Sequence, residues 1–141
     1  MKFEEREELG RAMGYTVRFF AGDCGGYGLI DPQGEEVYPE SYFGMEESAW
    51  LHNFHPGIND ADSMKVLAWI LSHRGISAGH VMTEIARFVP RIENDTAVCI
   101  VVEEWRGKRI VIVNEEADKA QALREAIASA GLAVARRLKE G

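Results

Sequence analysis

The residues of this chain that could do chemistry are few. His52-Asn-Phe-His55 sets two imidazoles three residues apart, a spacing that can serve a metal on one helical turn. A zinc site takes about four ligands, with three from the protein where it is catalytic. Asp23, Cys24 or Glu47 would have to complete the set, and Pro56-Gly57 follows at once and argues against a helix there. The expectation is therefore two solvent-facing histidines in a loop and no bound metal. Gly22-Asp-Cys-Gly-Gly-Tyr-Gly28 is rich in glycine like a phosphate loop, yet it lacks the Gly-Lys-Ser/Thr step and leads into a strand rather than a helix. It reads as a flexible hairpin connection. Cys24 as a nucleophile would need a base and an electropositive setting, and Asp23 beside it works against the thiolate.

Other chemistry-bearing residues have adequate structural readings. Glu103-Glu104 and Glu115-Glu116 flank one hairpin, where acids at a strand edge or helix start need no catalytic role. Trp50 and Trp69 could stack on a base or a sugar, but a Trp on an apolar helix face is more often core. Ser63, Ser72 and Ser129 fall in helices with no nucleophile elbow, which removes a serine hydrolase. No catalytic residue and no cofactor follow from these patterns.

Bulk properties narrow the class further. A chain of 141 residues is one domain by length, here residues 1–141, and can bury a core without metal or disulfide. The net charge of −7 disfavours binding to nucleic acid, where cationic side chains must neutralise phosphates. No run is long and apolar enough for a membrane span, and the acidic start Met1-Lys-Phe-Glu-Glu-Arg lacks the apolar stretch of a secretory signal. A cytoplasmic protein is expected, with Cys24 and Cys99 as free thiols and Cys99 a small core residue.

The elements that position these residues read as follows. Residues 3–13 form a helix with an apolar stripe of Phe3, Leu9, Ala12 and Met13, stopped by Gly14. Strands follow at 15–20 and 27–31, then a type I turn at Asp31-Pro-Gln-Gly34 and a short third strand at 35–38. Residues 39–58 carry no period and form a long apolar loop. Asn59 or Asp60 caps a helix over 60–74 that is apolar almost all round, so cover on more than one side is expected. Ser77 starts another over 77–88. Ala97–Val102 is a continuous apolar run fit for a sheet centre, turning at Arg106-Gly107 into a return strand at 108–113. Glu115–Lys139 is the last helix, with Ala120, Leu123, Ile127, Ala130, Val134 and Leu138 as its stripe. The predicted class is α+β: a mainly antiparallel sheet of four to five strands with helices packed on it as an α-β-α sandwich.

Gly14-Tyr15-Thr16-Val17, the Tyr27–Glu35 strand and turn, Ala49-Trp50 and the Pro56-Gly-Ile-Asn-Asp60 step occur in the order seen in phage ABA sandwich domains. The chain resembles that family best over about residues 9–71. The resemblance implies the sandwich fold and a phage or prophage setting in a bacterial host, but no reaction. Binding rather than catalysis is then the expectation, with an unidentified protein or a second copy of the chain as partner. The alternatives are a subunit of phage particle assembly, or a hydrolase or transferase using the His52/His55 loop. Trp50 is expected to be the pin of the 39–58 loop, buried against the 60–74 helix, which leaves Tyr42, Phe43, Phe54, His52 and His55 as the partner-binding face.

Overall fold

The computed structural model describes residues 1–22, 25–38, 41–73, 97–103, 109–115 and 118–140, with backbone alone for 97–103, 109–115 and residue 119. The predicted helix at 77–88, the Arg106-Gly107 turn, Asp23, Cys24, Glu104 and Glu116 lie outside these residues, as does the side chain of Cys99. The chain divides into two compact units, Lys2–His55 and Pro56–Gly141, with Met1 assigned to the second.

The first unit opens with α1, Phe3–Met13. The Glu5 carboxylate accepts from the Lys2 backbone N–H at 3.0 Å, one half of a capping box that the Lys2 side chain cannot answer because it has no acceptor. Gly14 closes the helix in the left-handed region at φ 103°. The buried face of α1 is Arg6, Leu9, Gly10 and Met13, whereas Ala12 is exposed. The predicted apolar stripe therefore turns toward Arg6 and Gly10, because Gly10 is where a ring packs. A Cβ there would lie 2.3 Å from Cζ3 of Trp50. Strands β1, Thr16–Phe20, and β2, Gly26–Ile30, pair antiparallel with Thr16 opposite Ile30 and Phe19 opposite Tyr27. The Asp31–Gly34 turn forms as predicted: Gly34 N–H donates to the Asp31 carbonyl at 3.0 Å, and Asp31 Oδ1 accepts from the N–H groups of Gln33 and Glu35.

The stretch 39–58 is not one long loop. It contains α2, Glu46–Asn53, with Glu46 and Glu47 in its first turn, favourable to the helix dipole. Pro56 lies beyond the end of α2, at the C-terminal Phe54 cap plus two residues, where proline is common and breaks nothing.

In the second unit, α3 spans Asp60–Ser72, and Asn59 caps it by accepting from the Asp62 N–H at 3.0 Å. Its buried face is Ser63, Val66, Leu67 and Ile70, while Met64, Lys65 and Ala68 are exposed. Met64, 60% exposed, shows that this face is not covered as the apolar pattern predicts. Strands β3, Ala97–Glu103, and β4, Arg109–Glu115, pair antiparallel from Ala97 opposite Glu115 to Glu103 opposite Arg109. Glu115 thus ends a strand rather than starting a helix. The last helix, α4, spans Lys119–Glu140, and Asp118 Oδ1 accepts from the Ala120 N–H at 2.9 Å. α4 packs on β3, β4 and α3. Of the predicted stripe, Ile127, Ala130 and Val134 are buried, but Ala120, Leu123 and Leu138 are exposed. The buried surface instead includes Ala122, Ala126, Ala128 and Ala135, whose small side chains suit a helix with neighbours on two sides.

The single sheet of four to five strands is overturned. The described residues hold four helices and two separate two-stranded antiparallel sheets, so helices dominate and no α-β-α sandwich is formed by them. The expected third strand at 35–38 reduces to one bridge, Ile30 to Glu36, with Val37 N–H donating to the Leu29 carbonyl. Glu36 and Val37 are followed by Pro39, which has no N–H to give a ladder. Among the described residues no helix is long and apolar enough to cross a membrane.

Candidate protein-binding surface

The candidate site belongs to the first unit and is built on the hairpin β1–β2 and the segment that returns to it before α2. Tyr27 and Phe43 exchange two backbone hydrogen bonds, 2.6 and 2.9 Å, as an isolated antiparallel bridge. The approach is close because β2 begins with glycine: a Cβ on Gly26 would sit 2.6 Å from the Phe43 carbonyl oxygen. Gly28 performs the same service for rings. A Cβ there would meet both Phe20 and Tyr42 at 3.0 Å, and those two rings stack over the vacated strand, centroids 4.5 Å apart and 14° from parallel. Arg18 Cζ lies over the Phe20 ring, 6.0 Å from its centroid. The Tyr42 hydroxyl donates to the Glu36 carboxylate at 3.3 Å.

Phe43, held by its bridge, stacks on His52 of α2, with centroids 4.8 Å apart and planes within 9°. His52 is exposed and Phe43 half-buried, so this pair is a surface feature. His55 lies elsewhere. It is half-buried beyond the end of α2, with Nε2 3.4 Å from Nη1 of Arg6, which also donates to the Leu51 carbonyl at 3.4 Å. The arrangement thus separates the two histidines, one against Phe43 and the other against a guanidinium. A cation in that position is unfavourable to a metal ion bound by His55. Among the described residues no group of three or more His, Cys, Asp or Glu could hold a metal. Burial pulls the pKa of Arg6 below the ordinary arginine value.

Phe54 does not belong to the binding face. It is 0% exposed, tilted against Tyr15 at 4.9 Å and edge-on to Trp50 at 6.3 Å. The reason is its place just past α2, where the chain turns inward instead of running on as a loop. Trp50 is also 0% exposed, lying against Gly10 with Arg11 5.4 Å above its ring. These two rings, with Ala49 buried beside them, are the buried side of α2 and its C-terminal cap.

No family model, curated protein or solved structure matches the chain. The site must therefore be read from its own geometry.

Sequence reasoning missed three surface residues. Phe19 is 58% exposed, and Met45 and Tyr38 are exposed nearby in sequence to the returning segment. The signal for Phe19 was present in the sequence: two consecutive aromatics in a strand point to opposite faces, so one of Phe19 and Phe20 is solvent-facing unless both faces are covered. Of the other candidates, Trp69 and Ser72 serve the end of α3. The Trp69 carbonyl accepts from the Ser72 hydroxyl at 2.7 Å and lies 2.8 Å from His73 Nδ1, while the Trp69 ring meets His73 edge-on. These contacts occupy the Trp69 carbonyl in the last turn of α3.

Proposed function

We propose that the chain is a small phage- or prophage-encoded accessory protein that acts by binding a protein partner, without catalysis, through the surface carrying Tyr42, Phe43 and His52. The observation that carries the reading is the Phe43–His52 stack. Rings pre-stacked outside the core lose little freedom on binding, and aromatic side chains are enriched in the centres of protein interfaces. The Phe20–Tyr42 pair with Arg18 extends the same kind of surface along the hairpin. The phage setting rests on the motifs of residues 9–71 alone, since the sandwich architecture implied by the same resemblance does not hold.

A pull-down from prophage-induced or phage-infected host cells tests this reading. The wild-type chain should capture a protein that mass spectrometry identifies and that rebinds after purification. Phe43→Ser combined with His52→Ala should lose that capture while leaving the far-UV circular dichroism unchanged. The reading is refuted if no purified candidate rebinds, or if the double variant rebinds it as well as wild type.

A further inference from the structure

We infer that the open edge of β1 is a self-association site, at which a second copy of this chain adds its own β1 antiparallel to form a continuous four-stranded sheet. The two edges of the hairpin differ. On the outer edge of β2 the Phe43 and Glu36 bridges and the Val37 N–H occupy backbone groups. On the outer edge of β1 no described residue pairs. Thr16, Arg18 and Phe19 along it are exposed and Val17 is half-buried. An edge of this kind presents a row of backbone donors and acceptors, and the occupant that satisfies it is an extended strand. Isolated edges are normally blunted by proline, lysine, a bulge or inward charge. β1 reads Thr-Val-Arg-Phe-Phe and carries none of these beyond the exposed Arg18.

The residue order selects a second copy over a foreign strand. Antiparallel pairing about a two-fold axis at Phe19 sets Phe19 opposite Phe19 of the second copy and Arg18 opposite its Phe20. Arg18 already lies over its own Phe20, so the pairing extends a contact the monomer has formed. The axis one residue earlier would set two Arg18 guanidiniums against each other, which disfavours that register. The aromatic pair at the axis and the two cation–aromatic contacts beside it are self-complementary, as a two-fold interface requires. With the axis at Phe19 only residues 18–20 of each β1 face one another, a small interface, so association should depend on concentration.

Sedimentation of the full chain over a range of concentrations tests the inference. Wild type should shift toward twice the single-chain mass. Phe19→Lys and Phe19→Glu should each remain monomeric, because like charges meet at the axis, and an equal mixture of the two should recover the doubled mass. Since Phe19 is more than half exposed, both variants should keep the wild-type circular dichroism. As a second measurement, oxidised Phe19→Cys should yield a peptide cross-linked from residue 19 to residue 19. A monomer at every concentration, a dimer insensitive to both charges, a mixture that fails to recover, or no such cross-link overturns it. This edge is separate from the Phe43–His52 stack, so loss of one reading leaves the other standing.

Discussion

Among the described side chains, the two compact units are packed with different materials. In Lys2–His55 the largest fully buried side chains are Trp50 and Phe54, and a glycine on α1 makes room for the indole. In Pro56–Gly141 the buried face of α4 is mostly alanine, set among Val66, Ile70, Ile127 and Val134. Buried polar atoms without a partner occur among the described side chains of both units. Arg6 Nε, Trp50 Nε1 and Asn53 Nδ2 are such atoms in the first unit, and Ser63 Oγ is one in the second. An unsatisfied buried donor costs about 1–3 kcal/mol. A core of a few large rings is sensitive to truncation, whereas a core of small residues is sensitive to enlargement.

The largest test of that contrast is Trp50→Ala. Truncating a buried Trp costs about 3–5 kcal/mol. Removal of the orphaned indole N–H offsets part of this, which points toward the lower end. Against a total stability of about 5–15 kcal/mol the loss is large. Chemical denaturation should show a clearly lower midpoint. A loss under about 1 kcal/mol would mean that the ring is not what holds α2 in place.

How far the sequence revealed these cores follows from how local each signal is. α1 and its Gly14 stop, the Asp31–Gly34 turn, the Asn59 cap and the β3–β4 pairing were legible because each depends on residues within one turn or one hairpin. α2 was hidden because Pro56 was read as a breaker of the preceding residues, although proline two residues past a cap is compatible with the helix. Whether two hairpins join into one sheet depends on long-range pairing, which local alternation does not encode. In the site, Tyr42, Phe43 and His52 could be singled out as aromatics without a core periodicity. Their stacking partners could not, since Phe20 and Tyr42 meet only because Gly28 leaves the strand bare. Phe54 was misassigned for the same reason as α2: once the helix exists, the residue after it turns inward.

The second unit supplies the converse experiment. Ala126 is fully buried on α4. Ala126→Leu adds three carbons to a well-packed site, and overpacking of this kind costs about 1–3 kcal/mol. Thermal unfolding should register it as a drop in melting temperature smaller than that of Trp50→Ala. A variant as stable as wild type would show slack around α4 and weaken the distinction between the two cores. Below it comes the α3 cap: Asn59→Ala removes the acceptor for the Asp62 N–H and should cost about 1 kcal/mol. Asn59→Asp keeps an acceptor at the same place and should recover most of that loss, which separates the cap from any general effect at the position.

The smallest effect expected is at the bridge between α3 and α4. Arg124 Nη1 lies 2.8 Å from Asp60 Oδ1, a short and well-formed ion pair. Its geometry overstates its worth, because the Asp60 side chain is 85% exposed. Exposed pairs contribute about 0.2–1 kcal/mol and are screened by salt. The Arg124 guanidinium also keeps a second acceptor without Asp60, since its Nη2 donates to Gln121 Oε1 at 2.9 Å. Gln121 in turn donates to the Gly57 carbonyl at 2.8 Å, so the amide ties α4 to the segment before α3 independently of charge. Asp60→Asn should therefore lower stability by no more than about 0.5 kcal/mol, and that difference should vanish in high salt. A loss above about 1 kcal/mol that persists in high salt would place part of the second unit's stability in polar bridging, and the account of α4 as held through its small, buried side chains would have to give way.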